Sequence, residues 1–256
     1  MSVKIKSTVA GIGPDVVLIH GLFGMGSNLG ALSRSLQDRY RVHSVDLPNH
    51  GRSDWLCPAD IPSMAAALLA WMDREGLENV ALIGHSLGGK VAMELTLRNP
   101  QRVNALVVAD IAPVAYSASH QHEFAALTAV AEARCHSRAD AQRIMEEHLD
   151  QEMVIQFLLT NLSRDDDGCY QWRFNLEGIM GGYDEIRAAI KPSKPFLSPV
   201  LFIKGGDSNY IREQHRSDIL RLFPAAVLKI MPGCGHWLHV QEPRLFNSMV
   251  GRYLDA

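Results

Sequence analysis

Cysteine is scarce and scattered. Cys57, Cys135, Cys169 and Cys234 are the only four in 256 residues, and no two have C-x-x-C spacing. That argues against a disulfide framework and a thiolate zinc site, and a reducing, cytoplasmic setting is the expectation. Long apolar runs are missing too. Val16-Val17-Leu18-Ile19 is too short for the hydrophobic region of a signal peptide, and no later stretch approaches the roughly 20 apolar residues of a membrane helix, so no membrane insertion is expected. Lys and Arg number 25 against 28 Asp and Glu, net −3, without a basic run, which argues against a nucleic-acid partner. Internal repeats and low-complexity tracts are absent. What remains is ordinary globular material, 47% hydrophobic and 21% charged, long enough for one large domain with an insertion.

The most informative stretch is Gly84-His85-Ser86-Leu87-Gly88, directly after the apolar run Val80-Ala81-Leu82-Ile83. A chain that leaves a strand and enters a helix so abruptly forces its central residue into strained backbone geometry. Small flanking residues avoid the resulting clash. A lone G-x-S-x-G also occurs in ordinary turns, but here the context fits a nucleophile elbow. Val91, Ala92 and Leu95 follow at helical spacing and Pro100 lies just past the helix end.

Elsewhere, short apolar runs at residues 16–19, 41–45, 80–83, 104–109, 199–203 and 227–230 read as strands. Helical patterns at 28–37, 62–75, 90–98, 213–222 and 243–253 alternate with them, the rhythm of a mostly parallel sheet covered on both faces. Between 114 and 196 that rhythm stops, and helical patterns at 121–132, 139–149 and 153–162 suggest an inserted helical cap. The division expected is a core of residues 1–113 and 197–256 with a cap of 114–196.

A serine hydroxyl needs a neighbouring base, usually a histidine oriented by a carboxylate. Of eleven histidines, His236 is favoured, because Gly233-Cys234-Gly235-His236-Trp237 is a glycine-rich loop after the last strand run. A solvent-exposed loop histidine is the bland reading, and Ser86 displaces it. His85 reads as support for the elbow. His236 and His239 form an H-x-x-H pair without a third acidic ligand at useful spacing, so no metal is expected. In His20-Gly21-Leu22-Phe23-Gly24, the Leu22 N–H joins that of Leu87 as a candidate oxyanion donor, although the same glycines would also serve a tight turn. Asp46, His50 and Ser53 read as loop structure, and Phe157, Leu158, Leu159, Trp172 and Phe174 as helix packing with some capacity to line an acyl pocket.

These signatures together resemble the α/β-hydrolase superfamily over essentially the whole chain. Within it they are most similar to YbfF-type bacterial esterases and related abhydrolase-domain proteins. Gly21-Leu22-Phe23-Gly24, Asn49-His50-Gly51, Gly88-Gly89-Lys90, Asp110-Ile111-Ala112-Pro113-Val114 and Trp172-Arg173-Phe174-Asn175 carry that likeness. The resemblance implies an α/β-hydrolase fold, hydrolysis of small-molecule acyl esters or thioesters without a cofactor, and a helical cap between the sixth and seventh core strands.

The superfamily order of serine, acid, histidine puts the acid between Ser86 and His236. Aligning Gly205 on the common G-x-x-D pattern leaves Ser208 in the acid position, with Asp207 one residue early. Asp110 ends the run Leu106-Val107-Val108-Ala109 and should share the carboxyl edge of the sheet with Ser86, so it is the acid expected. Asp207 is the fallback, Glu177 a distant third, and the bland reading of Asp110 is a turn cap. Alternatives to ester hydrolysis are a C–C bond hydrolase, lyase or perhydrolase of the same fold, and a ligand-binding receptor with vestigial activity. Dehalogenases and epoxide hydrolases of this fold place aspartate where Ser86 stands.

Overall fold

A computed structural model describes residues 3–191 and 194–255. Residues 1, 2, 192, 193 and 256, counted above in the core ends and near the end of the cap, lie outside the described residues. The chain opens with β1 (Lys6–Ala10), β2 (Asp15–Ile19), α1 (Gly30–Leu36), β3 (Arg41–Asp46), α2 (Ile61–Arg74), β4 (Val80–His85), α3 (Leu87–Arg98) and β5 (Val103–Ala109). The segment 114–196 holds α4 (Gln121–Ala133), α5 (Arg138–Glu146), α6 (Glu152–Leu159), β6 (Leu162–Arg164), β7 (Tyr170–Trp172), α7 (Leu176–Gly181) and α8 (Tyr183–Arg187). Alternation resumes with β8 (Val200–Gly205), α9 (Arg216–Leu222), β9 (Ala226–Met231), α10 (Leu238–Gln241) and α11 (Pro243–Leu254).

Among the described residues seven strands form one sheet in the order β1-β3-β2-β4-β5-β8-β9, parallel throughout except for β1 against β3. Strand residues alternate between two cores, because successive side chains leave a strand on opposite faces. Val17, Ile19, Leu82 and Val108 meet α2 and α3 on one side, and Val16, Leu18, Ile83 and Val107 meet α1 and α11 on the other. Each fully buried large side chain, such as Leu68 or Trp71 of α2, contributes about 1.5–3 kcal/mol to that packing. Asp60 caps α2 by accepting the Ser63 N–H at 2.6 Å, and Gly76, at φ +67°, stops the chain just beyond it.

Three details differ from expectation. Five strands of this sheet, not six, precede the inserted segment, so it falls between the fifth and sixth of seven. The helical pattern at 153–162 ends early: α6 stops at Leu159, Asn161 turns the chain, and Leu162 opens the β6–β7 hairpin. The strand β1 is added at the sheet edge, where Lys6-Ser7-Thr8-Val9-Ala10 is exposed or half-exposed and has no buried face to give its sequence an alternating pattern. Among the described residues no helix is long and apolar enough to cross a membrane.

Candidate active site

Ser86 stands between β4 and α3 at φ 53° and ψ −118°, a conformation rare for a residue with a side chain. Its neighbours explain how the turn fits. A Cβ on Gly84 would lie 2.3 Å from Gly88 O, and one on Gly88 would lie 2.3 Å from Ile19 O. Any larger residue would push α3 off the sheet. The elbow is tied to β5 through Ser86 N–H donating to Ala109 O at 3.0 Å, while Lys90 N–H donates to Ser86 O at 3.1 Å as the first bond of α3. Ser86 is left half-buried at the carboxyl edge of the sheet.

The loop after β2 presses on this elbow. A Cβ on Gly21 would come within 3.3 Å of Ser86 Cβ. Two buried histidines hold the loop. His20 Nε2 accepts Leu47 N–H at 2.9 Å, so its Nδ1 donates to Gly21 O at 2.7 Å. His50 Nε2 accepts Phe23 N–H at 3.2 Å, so its Nδ1 donates to Pro48 O at 3.0 Å. Burial pushes the pKa of His20 down and that of His50 down to about 3, which keeps both rings neutral, each with one donor and one acceptor. Behind them, Asp46 Oδ1 accepts Gly26 N–H at 2.7 Å and Oδ2 accepts Arg52 N–H at 3.0 Å, while Ser53 Oγ donates to Asp46 O at 2.6 Å. The Leu22 and Leu87 N–H groups make no hydrogen bond to any described residue, and both residues line the cavity with Ser86.

Asp110 leaves β5 at φ 51° and is fully buried. Its Oδ1 accepts Gly205 N–H at 3.0 Å, and its Oδ2 accepts both Ser208 Oγ–H and His236 Nδ1–H, the latter at 2.8 Å. Three donors on one buried carboxylate compensate its lost hydration; hydrogen bonds to a charged group are worth about 1.5–3 kcal/mol each. With Nδ1 donating, the neutral His236 ring carries its lone pair on Nε2. Tyr210 stacks on that ring at 3.9 Å between centroids and 22° between planes. His85 Nε2 donates to His236 O at 2.9 Å, linking the loop that carries His236 to the residue before Ser86. Burial, with His239 and His236 adding to it, holds the His85 pKa well below the ordinary value, and the His239 pKa falls to about 4. Both rings therefore stay neutral beside His236.

The structure thus brings Asp110 and His236 together at the same sheet edge as Ser86. No hydrogen bond joins Ser86 Oγ to His236 among the described residues; such contacts often close only around substrate. Asp207 is exposed, with its N–H on Cys234 O at 2.9 Å, and Glu177 is exposed in the first turn of α7. Ser208, which the sequence aligns with the usual acid position, donates to the Asp110 carboxylate, a contact that only the three-dimensional structure reveals. The His236–His239 pair does not converge: His236 Nδ1 is engaged by Asp110, and the His239 ring packs on His85 at 4.4 Å.

A cavity of about 390 Å³ opens over Ser86, bounded by Leu22 and Leu87 below and by Tyr116, His120, Tyr183 and Ile186 of the inserted segment. Lys90, one turn along α3, is buried there. Its Nζ donates to Ala188 O at 2.5 Å and Ile186 O at 3.4 Å and lies 5.3 Å from the Tyr116 ring centroid. Burial, reinforced by Arg187, lowers its pKa to about 7. Asn175 reaches the core from the other side, its N–H on Asn49 O at 2.9 Å. The aromatic and aliphatic residues considered for an acyl pocket serve packing: Phe157 lies on Trp237 at 4.3 Å, Trp172 stacks on Phe174 at 5.3 Å, and Leu158 and Leu159 are buried.

A strained serine at a strand-to-helix turn, beneath the carboxyl edge of a mostly parallel sheet, defines an α/β-hydrolase. The model of the alpha/beta hydrolase family matches residues 16–249, and the chain belongs to that family. It is 40% identical over 241 residues to "Esterase YbfF" of Escherichia coli (strain K12), covering 94% of this chain and 92% of that one. It is 36% identical to "sn-1-specific diacylglycerol lipase ABHD11" of Mus musculus, covering 94% and 81%. Among solved structures, "Marine microorganism esterase" superposes with a TM-score of 0.94 at 35% identity, covering 98% of this chain and all of that one.

Proposed function

We propose that this protein is a serine ester hydrolase acting on small-molecule carboxylic esters with short-to-medium acyl chains, and on acyl thioesters of similar size. Ser86 Oγ attacks the carbonyl carbon as its proton passes to His236 Nε2, and Asp110 steadies the imidazolium. The Leu22 and Leu87 N–H groups take the oxyanion. His236 then protonates the leaving oxygen or sulfur, the acyl group stays on Ser86, and water, deprotonated by His236, releases the acid and restores the hydroxyl. The neutral state of His85 matters here, since a second cation would oppose charge on His236.

The reading rests above all on the buried Asp110 carboxylate receiving His236 Nδ1–H at 2.8 Å beside the strained Ser86 turn. Relatives named as esterases support it, as does a cavity of about 390 Å³. We read residues 114–196 as a cap over a core of 1–113 and 197–256, a division supported by the inserted segment's share of the cavity wall. A cytoplasmic setting accords with four free thiols.

Hydrolysis of p-nitrophenyl esters of increasing acyl length, beside Ser86→Ala, tests the function. Turnover that falls by roughly six orders of magnitude in Ser86→Ala is the expected result. Absence of Ser86-dependent release from every ester and thioester would overturn it in favour of carbon–carbon bond cleavage or ligand binding.

A further inference from the structure

His120 precedes α4 in the inserted segment and lines the cavity that holds Ser86. Its Nδ1 lies 2.5 Å from the Tyr183 hydroxyl, whose oxygen also accepts the Ser119 N–H at 3.3 Å. The phenol oxygen already accepts one N–H and has no other acceptor among the described residues, so the arrangement that satisfies both groups has Tyr183 O–H donating to His120 Nδ1. The ring's own proton is therefore on Nε2, which makes no hydrogen bond to any described residue. Burial, together with His236 nearby, lowers the His120 pKa despite Glu123, so this is a neutral ring with one fixed donor.

The surroundings say which part of a substrate meets that donor. His120 sits edge-on to Phe23 of the oxyanion loop, 6.4 Å between centroids at 77°. The residue before it, Ser119, lies beside the Tyr210 phenol, and Tyr210 stacks on His236 at 3.9 Å between ring centroids. His236 must reach the leaving oxygen to protonate it, so groups gathered around His236 are those nearest the alcohol half of an ester. A plain alkyl group placed against the Nε2–H strips its water and returns no acceptor. An alcohol bearing a second oxygen returns one.

Resting on the serine ester hydrolase reading, we infer that His120 is a specificity-determining residue whose Nε2–H donates to an acceptor oxygen in the alcohol portion of the substrate, favouring hydroxyalkyl or alkoxyalkyl esters over alkyl ones. Tyr183 is the positioning residue that fixes the donor on Nε2.

The test compares kcat/KM for 2-methoxyethyl butanoate and n-butyl butanoate, matched in length, in the unaltered protein, His120→Phe and Tyr183→Phe. The ratio of the two is expected to fall about tenfold in His120→Phe, the worth of one hydrogen bond, with butyl ester turnover changed only a few-fold. In Tyr183→Phe the ratio falls by less, because the proton is then free to move to Nδ1. A purely structural role would lower both esters equally and leave the ratio where it was, which would overturn the inference. Should His120→Phe lose all activity, Tyr183→Phe decides alone: a lowered ratio supports the inference, an unchanged ratio overturns it. Failure of the unaltered protein on both butanoates despite cleavage of p-nitrophenyl butanoate also overturns it and leaves the esterase reading intact. Failure on every ester removes that reading and this inference with it.

Discussion

At the core edge, His20 and His50 are buried as neutral bridges between backbone groups of the same half of the molecule. Where the inserted segment meets the core, Lys90 is buried against two carbonyls of that segment, Ala188 and Ile186. Both arrangements bury a base and shift its pKa down, yet they hold different things. The histidines fix the loop that places Gly21 and Leu22 beside Ser86, and the lysine fixes one part of the chain to another. Ser86, Asp110 and His236 all lie outside residues 114–196, and that inserted segment supplies part of the wall of the cavity over Ser86.

The strongest way to sharpen that contrast is to exchange the two aspartates at neighbouring strand ends. Asp110→Asn is expected to lower turnover by roughly four orders of magnitude, as a triad histidine in the wrong tautomer does. Asp207→Asn, at an exposed carboxylate, should leave turnover near normal. Steady-state rates on one p-nitrophenyl ester check both, and a near-normal Asp110→Asn would remove the acid assignment.

The same contrast governs what the sequence reveals. Ser86, Asp110 and His236 each follow an apolar strand run, and parallel strands deliver their carboxyl ends to one edge, so their placement on that edge could be argued from runs and loops alone. Ser208 could not be understood that way. Its partner lies 98 residues away, and a serine in an acid's usual place looks like a loss until its hydroxyl is found on Asp110. His120 and Tyr183, 63 residues apart, meet only through the packing of the inserted helices, and no periodicity announces such a pair. The hairpin of β6 and β7 has three residues per strand, too short for alternation to register.

Lys90→Met tests the tether. Because the Lys90 pKa falls to about 7 from an ordinary 10.5, the folded state binds fewer protons than the unfolded chain between those values. Stability then rises with pH across that window: the penalty for charging Lys90 is complete below about pH 7 and vanishes above 10.5. Urea unfolding at pH 7, 8 and 9 should show the unaltered protein gaining on Lys90→Met by up to about 1.4 kcal/mol per pH unit. A constant gap between the two would mean that Lys90 titrates normally and that the contacts at Ala188 and Ile186 hold an ammonium.

His50→Gln makes the parallel test on the core side and has the smaller expected effect, because glutamine keeps a donor and an acceptor where the ring had them. The His50 pKa drops from 6.5 to about 3 through burial, so the unfolded chain again binds the extra proton, here on the acid side. The contribution is complete above pH 6.5 and is lost as pH falls towards 3. His50→Gln should flatten the acid limb of the stability curve, by at most about 1.4 kcal/mol per pH unit, while leaving the alkaline limb that Lys90 governs unchanged. Paired unfolding curves at pH 4.5, 5.5 and 7 decide the point. Parallel acid limbs would show that the loop bearing Leu22 is held without reference to the charge state of His50, and the division between a core fixed by neutral histidines and a segment fixed by Lys90 would collapse.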